Sequence, residues 1–77
     1  MYWITRIRVR KGVPPSTFIR EAVTRGEVLD LIEPKRRSSV GDESLPFGHE
    51  SLNQTRTVAD VLQRTYSRQR FEVTEVQ

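Results

Sequence analysis

Both ends of this chain alternate apolar and polar side chains, and that shared period confines the fold more than anything between them. From Tyr2 to Arg10, Trp3, Thr5, Ile7 and Val9 point one way while Ile4, Arg6, Arg8 and Arg10 point the other. This is the two-residue period of a half-buried strand. Phe71 to Val76 repeats it, with Phe71 and Val73 on one face and Glu72, Thr74 and Val76 on the other. The two segments can pair only if the chain between them folds back, which predicts a small α+β unit closed by its own terminal strands.

Between the strands, Lys11 to Pro15 breaks the first alternation, because the prolines remove backbone donors and Gly12 frees the chain for a turn. Ser16 or Thr17 can cap a helix running to Glu33, with Phe18, Ile19, Ala22, Val23, Leu29 and Ile32 on one arc and Pro34 as its stop. Gly26 costs about 1 kcal/mol inside such a helix and can split it into two short ones. Residues 34–56 hold two prolines and two glycines without periodicity, and read as a long polar loop anchored by Leu45, Pro46 and Phe47. Thr57 to Asp60 is the aspartate variant of a capping box, opening a second helix with Val58, Ala59, Val61, Leu62, Thr65 and Tyr66 on one side.

The expected order over a single domain, 1–77, is therefore strand, helix, loop, helix, strand. The expected fold class is α+β, with a small antiparallel sheet from the terminal strands packed against two helices. Its expected core is Trp3, Ile7, Val9, Phe18, Ala22, Leu29, Val58, Leu62, Tyr66, Phe71 and Val73. Two strands alone are marginal, since independent stability usually needs three or more. Completion of the sheet by dimerisation, and so a homo-oligomer, is expected on that ground.

One segment carries a resemblance. Ser16-Thr17-Phe18-Ile19-Arg20-Glu21-Ala22-Val23 resembles the opening of the second helix in ribbon-helix-helix repressors. The arginine-bearing strand before it is similar to the ribbon that those dimers place in the major groove. The resemblance implies a helix from Ser16 onward. The order departs from that family, because only Lys11 to Pro15 lie where a first helix should stand, and no functional residue is carried over.

Charge directs the functional reading. The net charge is +3, and 11 of the 13 basic residues are arginine. Arginine's planar fork suits phosphate and carboxylate recognition, although GC-rich codon usage or a compact viral genome yields the same bias with no function attached. Arg6, Arg8 and Arg10 on one strand face form a ladder at a spacing of about 6.5–7 Å, continued by Lys11 and accompanied by Tyr2 as a stacking ring. Facing outward, such a row matches a phosphate backbone in sign. The bland alternative is a solvated face with Glu72 opposite one arginine as a cross-strand ion pair. Arg36 and Arg37 form a second basic patch before Ser38, in the pattern that basophilic kinases read. A protein partner is the rival: Val28 and Leu31 lie off the helix arc and, with Phe47, offer a docking surface.

Other chemistry is poorly provided for. Cysteine is absent and His49 is the single histidine, so no metal or cofactor is expected. Ser44, His49 and Asp42 can be named as a catalytic set, but all three lie in one irregular loop without a rigid scaffold. No enzyme activity and no small-molecule substrate are expected. No apolar run approaches the ~20 residues that span a bilayer, and the opening lacks the order of a secretory signal, so a cytoplasmic protein without membrane contact is expected. The expected function is a small regulatory or accessory binding module contacting nucleic-acid phosphates. The alternative is a protein-binding adaptor, inhibitor or assembly factor of phage, viral or bacterial origin.

Overall fold

The computed structural model describes residues 1–35 and 42–76. The chain runs through β1 (Tyr2–Arg8), β2 (Ile19–Ala22), α1 (Arg25–Ile32), β3 (Gly48–His49), α2 (Leu52–Thr65) and β4 (Arg70–Glu75), with 3-10 turns at Pro15–Thr17 and Asp42–Ser44. β1 is the central strand. β4 runs antiparallel beside it from Tyr2 opposite Glu75 to Ile7 opposite Arg70, so the two terminal segments do pair. Because β4 occupies one edge, the other must hold both β2 and β3. β2 pairs from Thr5 opposite Ala22 to Arg8 opposite Ile19, and β3 pairs His49 with Tyr2 and Gly48 with Trp3. The α+β class with an antiparallel sheet and two helices holds, and the described residues of one chain form four strands, two more than expected.

The predicted helix from Ser16 to Glu33 is half wrong, and with it the helix implied by the ribbon-helix-helix resemblance. Ile19 to Ala22 is strand, and only Arg25 to Ile32 is helical. Residues four apart share a face in both helix and strand, so the pairs Phe18 with Ala22 and Ile19 with Val23 fit either period. The open edge of β1 decides: in the strand form this segment satisfies the backbone groups there, and Val23 N–H continues the pairing by donating to Ile4 C=O at 2.8 Å. The helix then starts at Thr24, whose hydroxyl accepts from Glu27 N–H at 3.3 Å.

The predicted loop 34–56 also contains structure. β3 lies within it, and α2 begins at Leu52, ahead of the predicted capping box. Ser51 is its cap, its hydroxyl accepting from Gln54 N–H at 3.3 Å, while Thr57 sits in the second turn and donates to Asn53 C=O at 3.0 Å. Thr55, Ala59 and Leu62 face inward; the buried Thr55 hydroxyl is satisfied by Ser51 C=O at 2.8 Å.

Both helices pack on one face of the sheet, and this is the opposite face of β1 from the one expected. The core is Ile4, Val23, Val28, Ala59 and Leu62, with Leu31, Phe47, Val58, Phe71 and Val73 packed against it. Ile4 and Arg6 therefore point inward, whereas Trp3, Thr5 and Ile7 point away from the helices. Ile7 is nonetheless only 2% exposed, outside the main core cluster. Of the expected core, Val9 and Tyr66 are exposed. Among the described residues no helix is long and apolar enough to cross a membrane.

Candidate nucleic-acid interface

The fate of the arginine ladder follows from that reversal. Arg6 sits on the helix side and is 7% exposed. Its Nη1 donates to Glu27 Oε1 at 2.8 Å, and its guanidinium lies 5.7 Å from the Tyr66 ring centroid and 5.5 Å from that of Phe71. The outward-facing row is corrected accordingly: Arg6 is an internal strut, unavailable to a phosphate. Arg8 is exposed but carries an ion pair of its own, Nε to Glu21 Oε1 at 3.0 Å. The carboxylates used are Glu27 and Glu21, not Glu72, which stands opposite Thr5. Arg10 and Lys11 lie exposed beyond the end of β1. Arg36, Arg37 and Ser38 fall outside the described residues.

The antiparallel register gathers a different set of cations. The C-terminal end of β1, the N-terminal end of β2 and the N-terminal end of β4 coincide, because Arg8 is opposite Ile19 and Ile7 lies between Arg20 and Arg70. Arg8, Arg10, Lys11, Arg20, Arg68 and Arg70 are thus brought to one end of the sheet, all exposed. Glu21, and Glu72 in the row next to Arg20 and Arg70, are the carboxylates beside them, which leaves that end at +4 and the rest of the chain, at a total of +3, near −1. Arg20 and Arg70 flank Ile7 on the face away from the helices, about 10 Å apart across two strand spacings. The α2 C-terminus also lies here, where its dipole favours a nearby cation such as Arg68.

Two local devices hold this end. Val13 N–H donates to Arg10 C=O at 3.3 Å, closing a turn in which Gly12 takes φ +80°, a backbone region open to glycine. At the other approach, the Gln63 side chain spans the α2 to β4 connection: its Nε2 donates to Gln69 C=O at 2.6 Å and its Oε1 accepts from Phe71 N–H at 3.2 Å. Arg68 is held between these anchors.

The cations expected from the sequence leave out Arg20, Arg68 and Arg70, and Arg20 falls within the helix predicted from Ser16 to Glu33. Their signal is tertiary, the register of three strands, and a strand assignment for Ile19 to Ala22 would have revealed it.

The residues expected to meet a protein partner are placed differently too. Val28 is in the core at 3% exposure, and Leu31 and Phe47 are half-buried against it. Val28, Leu31 and Val58 instead floor an apolar groove of about 270 Å³ between α1 and α2, whose outer wall includes Ile32 and Val61. His49 lies in β3, its Nδ1 accepting from Ser51 N–H at 2.9 Å. Among the described residues no three His, Cys, Asp or Glu side chains are grouped to hold a metal ion. Comparison with known protein families, with curated proteins and with solved structures yields no match.

Proposed function

We propose that the protein is a small non-enzymatic accessory or regulatory module that binds nucleic acid through its phosphates, using the basic end of the sheet. The observation that carries this reading is the gathering of six exposed cations beside two carboxylates, Glu21 and Glu72. A field of that sign attracts a polyanion and releases counterions on contact, so affinity falls steeply with salt. The cations stand on strand ends and turns, which suits phosphate contact more than the reading of base edges.

The test is a titration at two salt concentrations against single-stranded and duplex DNA and RNA, with poly-glutamate as the acidic-protein control. Salt-dependent binding to nucleic acid in preference to poly-glutamate is expected. Replacing Arg10, Lys11, Arg68 and Arg70 with glutamine should reduce the salt slope by about 0.7–0.9 per lost phosphate contact. A separate variant, Arg36→Gln with Arg37→Gln, measures whether the second basic patch contributes. No salt-dependent binding to any nucleic acid, or equal affinity for poly-glutamate, rejects the reading.

A second reading, a protein-binding adaptor, is supported by Ile32, an isoleucine 62% exposed at the rim of the apolar groove between α1 and α2. A groove of this kind suits the apolar face of an amphipathic helix from a protein partner. Under this reading, Ile32→Lys and Val61→Lys abolish partner capture while leaving the fold and the salt-dependent titration unchanged. Sedimentation of the same variants reports whether the groove instead seats a second copy of this chain.

A further inference from the structure

We infer that the nucleic acid taken by this module is single-stranded, and that one of its bases stacks on Trp3. The inference rests on the nucleic-acid reading and extends it along the face of the sheet away from the helices, where Ile7 is buried and Arg20 and Arg70 are exposed. Across that face run three rows: Arg20, Ile7 and Arg70; then Ala22, Thr5 and Glu72; then Gly48, Trp3 and Thr74. The first row belongs to the basic end. The third carries the only tryptophan of the chain.

Trp3 does not stand upright on the sheet. A Cβ at Gly48 would come within 3.2 Å of Trp3 Nε1 and 3.3 Å of its Cδ1, so the indole lies across β3 where a side chain would otherwise be. Beside it opens a recess of about 350 Å³ lined by Met1, Trp3, Arg25, Leu45, Pro46 and Gly48. An aromatic ring beside apolar walls forms the chemistry that accepts the face of a planar base.

Spacing connects the two ends of the face. Four residues of β1 separate the Ile7 row from the Trp3 row, about 13 Å, which roughly four nucleotides span at the ~3.4 Å rise of a stacked strand and fewer span when the strand is extended. A strand whose phosphates lie on Arg20 and Arg70 therefore reaches Trp3 with its next few bases. A duplex cannot use the recess, because its bases are paired and stacked on one another. Only an unpaired strand offers a free base face.

The experiment uses the intrinsic emission of Trp3 in the full chain, titrated at low salt with a single-stranded DNA oligonucleotide, the matching duplex and inorganic polyphosphate. Quenching by the single strand alone, with tighter binding than to the duplex, is the expected result. Anisotropy of a labelled strand should show Trp3→Ala weakened at least about fivefold and Trp3→Phe close to the parent, since a ring restores the stack. If the single strand binds with salt dependence but leaves Trp3 emission unchanged and gains nothing over duplex or polyphosphate, the stacking platform is overturned while the phosphate-binding reading survives. Failure of every polyanion to bind removes both.

Discussion

Arg6 Nη1 and Glu27 Oε1 meet at 2.8 Å, joining the central strand to the first turn of α1 beneath the rings of Tyr66 and Phe71. A charge in this position is costly to strand and cheap to replace as a pair, because Arg6 Nε and Glu27 Oε2 are buried without a hydrogen-bond partner among the described residues. Glu27→Ala should therefore destabilise by about 1–3 kcal/mol, by leaving the guanidinium uncompensated. The double change Arg6→Met with Glu27→Leu should recover most of that loss. Urea unfolding of the two variants checks the order, and an Arg6→Met Glu27→Leu protein less stable than Glu27→Ala would contradict it.

The facing of β1 yields a second prediction, on which sequence and structure disagree. Alternation alone puts Val9 inside and Ile4 outside, whereas Ile4 is fully buried under the helices and Val9 is exposed. Ile4→Ala should cost about 2–5 kcal/mol, as expected for an aliphatic core truncation. Val9→Ala should cost less than about 1 kcal/mol. Denaturant midpoints for the pair give the answer directly, and a larger loss at Val9 would restore the alternation-based assignment.

That disagreement marks what a single sequence can and cannot carry. Period two marks Tyr2 to Arg10 and Phe71 to Val76 as strands able to pair, and the structure pairs Tyr2–Arg8 with Arg70–Glu75. The period does not tell which face is inner. Ile4, Arg6 and Arg8 looked like a polar face, since a buried arginine is rare and its partner Glu27 lies 21 residues away. The basic end was legible only in part for a related reason: Arg10 and Lys11 are visible as exposed cations, but Arg20 and Arg70 become their neighbours through pairing with Ile7.

Helix α2 offers a test of where a helix begins. Ser51 caps it through Gln54 N–H, and the hydroxyl of Thr57 bonds only the preceding turn at Asn53 C=O. Ser51→Ala should lower stability by about 1 kcal/mol, the usual worth of an N-cap. Thr57→Ala should be neutral or slightly stabilising, because alanine has the higher helix propensity. Thermal unfolding by circular dichroism distinguishes these values, and a Thr57→Ala loss matching that of Ser51→Ala would place the cap at the capping box instead.

Gly48 links the fold to the proposed stacking surface. An added methyl there meets Met1 Sδ at 2.9 Å and the Trp3 indole at 3.2 Å. The thioether ends a flexible side chain and can swing aside, but the indole is tied to the central strand and must shift away from β3 by a few tenths of an ångström. Gly48→Ala should accordingly shift Trp3 emission to longer wavelength while the far-ultraviolet circular dichroism stays that of the parent. The same variant should bind single-stranded DNA less tightly with an unchanged salt slope, since the cations on Arg20 and Arg70 are untouched and only the platform has moved. An unaltered emission spectrum would mean that the indole does not rest against β3, and the stacking proposal would lose its geometric basis even with the basic end intact.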